Sequence, residues 1–237
     1  MVASTRWRDL ARSAVGRFPA LYLFVQRQRD ARRLARLGRT QARAAVLAPD
    51  TDIVIEGFPR SANSWSVRVF RLWQAGRVKI AHHQHHEAHV VAACRQGVPV
   101  LVLVRDPADA IRSFAQMEPD LDPARALERW IAFHEAVEPL AQRIVFATFD
   151  QATGDLGAVV KRINARFGTR FAHGATDAKL FDQVTSRMAE ATRPRPERRS
   201  ALADITPPLD ADRLAHARAL FGRLSALAAI EPAGPNG

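Results

Sequence analysis

One run of residues constrains the fold more than any other: Val100–Val104 reads VLVLV, with no polar position among its five residues. A strand with one face in water would alternate apolar and polar residues, so this run indicates a strand that is covered on both faces. The sequence Gly97-Val98-Pro99 places a turn directly before it. Such strands belong to parallel sheets with helices on both sides, and the run therefore predicts an α/β fold.

Strand-like and helix-like segments alternate along most of the chain. The predicted strands are Asp52–Glu56, Arg77–Ala81, Val100–Val104 and Ile144–Phe149. The predicted helices are one from Ser64 onward, Glu87–Gln96, Ala108–Gln116, Pro123–Ala141, Leu156–Phe167 and about Asp210–Ala229. Because helices connect parallel strands, we expect a three-layer fold with a mostly parallel central sheet and helices on both faces.

The N-terminal part of the chain has a different pattern. Arginines recur from Arg6 to Arg43, and apolar residues such as Leu10 and Phe18 follow at helical spacing. A break at Ala48-Pro49-Asp50 separates this part, so we predict a basic helical arm over residues 1–48 and a second domain over residues 49–237. The arm either packs its apolar face on that domain, which we favour, or lies peripherally on an anionic membrane.

The charge of the chain indicates an anionic ligand. The formal net charge is +11, and all 35 basic residues except Lys79, Lys161 and Lys179 are arginine. The planar guanidinium group binds phosphate and carboxylate groups through paired donors. A solvated basic surface is the simpler alternative for any single arginine outside a motif. With aromatic residues at 7%, the chain lacks an aromatic-rich surface for reading bases, and we expect no nucleic-acid partner.

The single cysteine bears on the compartment. Cys94 has no partner for an intrachain disulfide, which is typical of a reducing environment. The first residues do not form the continuous apolar core of a secretory signal, and the apolar stretch Phe18–Val25 is too short to span a bilayer. We therefore expect a cytoplasmic protein.

A first motif, residues 57–65 with the sequence GFPRSANSW, follows the first predicted strand and opens a helix. In that geometry, backbone N–H groups and the helix dipole converge on an anion. Arg60 adds a positive charge, and Ser61 and Ser64 add hydroxyl groups. The Gly-Lys-Ser/Thr ending of a Walker A loop is missing. An ordinary turn with an N-cap serine is the alternative.

A second motif, residues 105–113 with the sequence RDPADAIRS, follows the apolar strand. Arg105 lies at the carboxyl end of that strand, where open α/β sheets bind their ligands. Ser113 lies eight residues later, about two helical turns on, so that its hydroxyl can share a phosphate with Arg105. In the alternative interpretation, Arg105 pairs with Asp106 or Asp109 and Ser113 is a packing residue.

Together the two motifs resemble those of the sulfotransferase family, over roughly residues 52–165. The family's first signature is Pro-Lys/Arg-Ser-Gly-Thr-Thr-Trp, which cradles the 5'-phosphosulfate of its donor. The matching residues here are Pro59, Arg60, Ser61 and Trp65, while Ala62, Asn63 and Ser64 replace the Gly and the two Thr. The second signature is an Arg followed eight positions later by a Ser, which bind the donor's 3'-phosphate. Arg105 and Ser113 match it in identity and in spacing.

The resemblance implies a P-loop nucleoside-triphosphate-hydrolase-like fold and sulfotransferase activity. The donor co-substrate would be 3'-phosphoadenosine-5'-phosphosulfate, and the acceptor a hydroxyl or amine on a small molecule or carbohydrate. Phe149-Asp150 resembles an aromatic-acidic pair that many members carry after the fourth strand. The family also uses a basic late segment near the 3'-phosphate, for which the arginines between Arg193 and Arg199 are candidates.

A run of histidines supplies the candidates for a general base. The family's base is a His just after the second strand, which implies His82 first, then His83, with His85 third. A neutral imidazole can accept the acceptor's proton near pH 7. His85 and His89 are four residues apart, as zinc ligands on helices often are, but the position of Glu87 does not fit His-Glu-x-x-His. We therefore expect no metal.

Two alternatives to a sulfotransferase stay open at this point. A P-loop nucleotide or small-molecule kinase would use Mg²⁺ and a Walker B Asp, whereas the apolar strand here ends in Arg105. A protein of the same fold that binds a nucleotide without turnover is the other alternative. Both are distinguished from a sulfotransferase by what they bind and by whether sulfate is transferred.

Overall fold

The computed structural model describes residues 18–37, 45–186 and 209–230. Its central sheet consists of β1 Ile53–Gly57, β2 Ile80–His82, β3 Val100–Val104 and β4 Val145–Thr148. The strands lie in the order β2-β1-β3-β4, and each neighbouring pair is parallel. The predicted parallel α/β sheet is confirmed, and the strand VLVLV has the predicted bounds.

Helices cover both faces of this sheet, which confirms the three-layer arrangement. They are α1 Pro19–Leu37, α2 Asn63–Trp73, α3 Glu87–Arg95, α4 Pro107–Ala115, α5 Pro123–Val137, α6 Phe149–Gly154, α7 Leu156–Phe167, α8 Ala178–Thr185 and α9 Ala211–Ala229. Helices α1, α3, α4, α5 and α9 enclose one apolar core, and α2, α6, α7 and α8 enclose the other. Both cores consist largely of aliphatic and aromatic side chains, whose removal from water is the main stabilising term.

Alternation along the strands explains why they are apolar throughout. In β1, Val54 points into the core of α3 while Ile55 points into the core of α2. In β3, Val102 likewise points into the core of α3 and Leu103 into the core of α2. Every residue of such a strand is buried, so polar positions are rare. Glu56, in phase with Val54, is the exception in β1 and lies in the candidate site.

Two predicted segments differ from the structure by three or more residues at one end, and the other differences are single residues at the ends of elements. The second strand is Ile80–His82 rather than Arg77–Ala81, because only these residues pair with Ile53–Ile55 of β1. The predicted helix Pro123–Ala141 continues as α-helix only to Val137 and then becomes a 3₁₀-helix. A proline follows two residues after Val137 and lacks the N–H that an α-helix would use.

The described part of the predicted arm packs against the rest of the fold. Tyr22 and Leu23 of α1 are buried in the same core as Leu47, and the Arg27 guanidinium donates hydrogen bonds to the Leu47 carbonyl at 2.7 and 2.9 Å.

The opposite face of α1 exposes Phe18, Leu21 and Phe24. A membrane contact of this face stays a prediction, as does the division of the chain at residue 48. Residues 1–17 and 38–44 of the arm lie outside the described residues. Within the described ranges, each helix lacks either the length or the apolar character needed to cross a membrane.

The strand order places a switch point between β1 and β3. The chain leaves β1 through α2 on one face, leaves β2 through α3 on the other, and returns in β3 on the far side of β1. In open α/β sheets, ligands bind outside the carboxyl ends of the strands at such a point. The two strands approach so closely here that a Cβ on residue 57 would collide with the Leu103 carbonyl, and the glycine at this position permits the approach. Both sequence motifs begin at this edge of the sheet.

A histidine buried in the α5 core should make stability depend on pH. The His134 ring is fully buried, its Nδ1 lies 2.7 Å from the Trp130 carbonyl, and burial lowers its pKa to about 3. Below about pH 6.5, His134 therefore binds a proton in the unfolded chain but not in the folded chain. The free energy of unfolding decreases as the pH is lowered through this range. Leucine has a similar volume and cannot titrate. When the pH is lowered from 7.5 to 5, we expect the free energy of unfolding to decrease by about 2 kcal/mol less in His134→Leu than in the wild type.

Urea unfolding of both chains at the two pH values measures this difference. The comparison is within each chain, so the lost hydrogen bond to Trp130, which acts at both pH values, cancels. An equal loss of stability in the two chains would contradict the role of His134.

Candidate active site

The turn between β1 and α2 has the backbone geometry of an anion-binding loop. Arg60 and Ala62 both adopt a left-handed conformation, with φ of 71° at each. Ala62 is the N-cap of α2 and makes no side-chain hydrogen bond to the helix, so the alternative of an N-cap serine is wrong. The first N–H groups of α2 are therefore without a side-chain cap. Such N–H groups, with the helix dipole, bind anions.

Side chains within this turn hold its shape and leave one buried hydroxyl unused. The Asn63 side-chain amide donates a hydrogen bond to the Phe58 carbonyl at 3.0 Å, which closes the turn. Ser61 Oγ is buried and has no hydrogen-bond partner among the described residues. A buried hydroxyl without a partner is costly, and one at an anion-binding turn is available to a ligand oxygen.

Two residues of the first motif point inward rather than toward a ligand. Pro59 is buried, and Trp65 is 1% exposed, packs against the Phe181 ring and donates its indole N–H to the Ala152 carbonyl at 3.0 Å. The Trp65 side chain therefore stabilises α2 against α6 and α8.

The two motifs, separated by about 45 residues in the sequence, form one cluster in the fold. Arg60 Nε donates a hydrogen bond to Ser113 Oγ at 2.9 Å, and Arg105 donates one to the Arg60 carbonyl at 2.9 Å. Burial lowers the pKa of Arg60, although a guanidinium remains charged at neutral pH. Two cations and a hydroxyl at the switch point suit a ligand with more than one phosphate.

An aromatic ring flanks this cluster. The Arg105 guanidinium carbon lies 4.3 Å from the centre of the Phe149 ring, a cation–π contact that orients Arg105. Phe149 is the first residue of α6 and β4 begins at Val145, so the predicted strand Ile144–Phe149 is one residue too long at each end. The strand stops because Thr148 and Gln151 form a capping box that starts the helix.

The histidine run lies beside the same turn. His83 Nε2 is 2.9 Å from Ser64 Oγ, and His83 Nδ1 is 2.6 Å from His82 Nδ1. His82 ends β2 and is 7% exposed, whereas His83 is partly exposed. Burial, reinforced by the neighbouring histidine, lowers the pKa of His82 to about 3 and that of His83 to about 4. Both rings are therefore neutral at pH 7, with burial making each a weaker base than a solvated imidazole.

Strained backbone conformations mark the two facing loops. Within the described ranges, the four non-glycine residues with positive φ are Arg60, Ala62, His83 and His85. Each such residue costs about 1 kcal/mol or more, and such strain concentrates at functional sites. The strained residues in the turn after β1 and in the loop after β2 thus indicate a functional site at the same edge of the sheet as the cluster of Arg60, Arg105 and Ser113.

The other histidines have structural contacts. His85 Nδ1 lies 2.7 Å from the Gly57 carbonyl, and His86 caps α3 by accepting the Ala88 N–H. His89 is fully buried, and its Nε2 accepts the Leu47 N–H at 2.9 Å. Among the described residues, no group of three or more His, Cys, Asp or Glu side chains could hold a metal ion.

Glu56 is the site residue that sequence reasoning missed. The sequence predicts Glu56 only as the last residue of the first strand, yet its carboxylate accepts hydrogen bonds from the Gln84 N–H, the His85 N–H and His89 Nδ1. The signal is an acidic residue directly after the apolar run Ile53–Ile55, since a carboxylate in a buried strand is almost never fully buried without partners. The arginines between Arg193 and Arg199 lie outside the described residues.

Comparison with known proteins finds similarity among solved structures. No family model matches the chain, and no curated protein matches it significantly. A crystal structure of a mouse sulfotransferase complexed with PAP is similar at 16% identity, over 61% of this chain and 68% of that chain, with a TM-score of 0.42. Values this low say nothing about what this chain binds or catalyses, so the function must be inferred from the geometry of the site.

Proposed function

We propose that this chain is a sulfotransferase that moves a sulfuryl group from 3'-phosphoadenosine-5'-phosphosulfate to a hydroxyl or amine acceptor. The observation that carries the proposal is the contact of Arg60 with Ser113 and of Arg105 with the turn that contains Arg60. It joins an anion-binding turn to a second basic position at the switch point. A nucleotide with phosphates at both its 5' and 3' positions needs two such places.

The residues divide between these two places. The N–H groups at the start of α2, with Ser61 and Arg60, would hold the 5' side of the donor. Arg105 and Ser113 would hold the 3'-phosphate, as the family resemblance implies. During transfer the acceptor oxygen or nitrogen bonds to sulfur as the bond from sulfur to the 5'-phosphate oxygen breaks. Donors placed around the departing phosphate stabilise the charge that develops there.

Among the candidate bases, the geometry favours His83. Its Nε2 lies at hydrogen-bond distance from Ser64 at the start of α2, while His82 is more deeply buried and directs Nδ1 toward His83. Neutral His83 would take the proton that the acceptor releases, and His82, hydrogen-bonded to His83, would orient its ring. His85 remains the third candidate.

Binding of the donor product tests the proposal. We expect 3'-phosphoadenosine-5'-phosphate to raise the melting temperature, because a ligand at 100 times its Kd stabilises the folded state by about 2.7 kcal/mol. Adenosine 5'-phosphate, which lacks the 3'-phosphate, should give a much smaller shift. No shift with 3'-phosphoadenosine-5'-phosphate, or a larger one with ATP and Mg²⁺, would contradict the proposal.

Transfer must be shown separately from binding. A screen of alcohols, phenols, amines and carbohydrates with labelled donor should find an acceptor that becomes labelled. Binding of the donor product without transfer to any acceptor would instead indicate a nucleotide-binding protein without turnover.

A further inference from the structure

A buried carboxylate connects β1 to the histidine loop. Glu56 is 0% exposed and lies on the face of β1 that meets α3. Its carboxylate accepts hydrogen bonds from the Gln84 N–H at 2.7 Å, the His85 N–H at 3.1 Å and His89 Nδ1 at 3.0 Å. A charge removed from water is costly unless such donors replace the solvent. All three donors belong to the six residues 84–89, so Glu56 ties that segment to the strand before the anion-binding turn.

The protonation states of this cluster follow from its donors. Burial alone would raise the pKa of Glu56, but the hydrogen bonds that its carboxylate accepts, from His89 and from the Gln84 N–H, outweigh burial and keep the pKa below its usual value. His89 Nε2 accepts the Leu47 N–H, so that nitrogen carries no proton and Nδ1–H is the donor to Glu56. The carboxylate is therefore ionised and accepts from all three donors at once.

These hydrogen bonds act on a strained loop. His83 and His85 have φ of 60° and 50°, a conformation that a non-glycine residue keeps only when its surroundings enforce it. The hydrogen bonds that the Gln84 and His85 N–H groups donate to Glu56 hold the backbone next to His83. His85 Nδ1 adds a second tie to β1 through the Gly57 carbonyl at 2.7 Å. With the loop held in this way, His83 Nε2 lies 2.9 Å from Ser64 Oγ.

We propose that Glu56 is a positioning residue for sulfuryl transfer, which keeps the histidine loop in the conformation that places His83 at the start of α2. The proposal rests on the proposed function. Glu56 acts through the loop rather than on the substrate, because its carboxylate is fully enclosed.

The first test is Glu56→Gln, which keeps the shape but replaces one acceptor oxygen by an NH₂ donor. That donor would face a loop N–H, and the loop should move. We expect kcat to fall about 100-fold, as for loss of a positioned acid–base group, while the Kd for 3'-phosphoadenosine-5'-phosphate changes less than about threefold. The assay is run at a temperature at which the variant is fully folded. Glu135→Gln, on the exposed side of α5, is the matched control and should behave as wild type.

A second pair of variants gives the same test without changing the buried carboxylate. In His89→Gln the amide NH₂ can still donate to Glu56 and its oxygen can still accept the Leu47 N–H, so we expect most of kcat to remain. His89→Leu can do neither, and its kcat should fall like that of Glu56→Gln. A folded Glu56→Gln or His89→Leu with wild-type kcat would overturn the proposal.

Nitrogen-15 NMR of the histidine side chains needs neither donor nor acceptor. In the wild type, His89 should show the proton on Nδ1, and Glu56→Gln should change the signals of His83, His85 and His89. Unchanged signals in a folded variant would overturn the positioning role. A wild-type chain that binds no 3'-phosphoadenosine-5'-phosphate would overturn the proposed function instead, while the NMR comparison would still show whether Glu56 holds the loop.

Discussion

Replacing Arg105 by alanine is expected to weaken binding of 3'-phosphoadenosine-5'-phosphate by at least about 30-fold, because a hydrogen bond between charged groups is worth about 2 kcal/mol or more. The loss has two parts. Arg105 would no longer contact the 3'-phosphate, and its bond to the Arg60 carbonyl, which supports the left-handed turn, would be gone. Titration calorimetry with the two chains measures the ratio of the Kd values.

Three comparisons show whether the effect belongs to the 3'-phosphate. Adenosine 5'-phosphate should lose clearly less affinity than 3'-phosphoadenosine-5'-phosphate in the Arg105→Ala variant, since it lacks the 3'-phosphate and is affected only through the lost contact to the Arg60 carbonyl. Ser113→Ala should cost less than Arg105→Ala, because it removes one neutral hydroxyl. Arg95→Ala, at the exposed end of α3, removes the same charge elsewhere and should leave binding unchanged. An equal loss for both nucleotides would contradict a specific role at the 3'-phosphate.

Replacing His83 by alanine is expected to reduce sulfate transfer by about 10² to 10⁴, the range for loss of a general base. Binding of 3'-phosphoadenosine-5'-phosphate should change less than about threefold, because His83 contacts Ser64 rather than the basic cluster. The measurements are kcat with a labelled donor and the Kd of the donor product, both in the same buffer.

The comparison with His82 decides between the two leading candidates. His82→Ala should reduce kcat less than His83→Ala if His82 only orients the ring of His83. His173→Ala, an exposed histidine in the loop before α8, serves as the control and should retain full activity. A large loss with His82→Ala alone would move the base to His82, and full activity in both variants would exclude both residues.

The elements that the sequence predicted well are those whose signals are local. The bounds of β3 and of α7 agree with the prediction, because an apolar run between turn residues and a helical spacing of apolar residues can be read within a short window. Helix α9 differs from its prediction by one residue at its start. Helix α8 was not predicted, since its eight residues carry only a short periodic pattern.

The position of β2 could not be predicted in the same way, because a strand exists only where it has a partner. Ile80–His82 is a strand because it pairs with Ile53–Ile55, nearly thirty residues away. Residues 77–79 lie directly before this strand but outside the ladder, and Lys79 instead donates its N–H to the Asp52 carboxylate. Composition alone does not contain this pairing.

The sequence by itself determined the parallel α/β class, the strand–turn–helix of the first motif and the positions of Arg60, Arg105 and Ser113 in the two motifs, since strand and helix periodicity and motif spacing are properties of the chain. Only the tertiary structure decided that Arg60 contacts Ser113, that Trp65 is buried in a core, and that Glu56 holds the histidine loop. The physical reason is that each of these contacts joins residues far apart in sequence, and only the packing of the sheet and its helices brings them together.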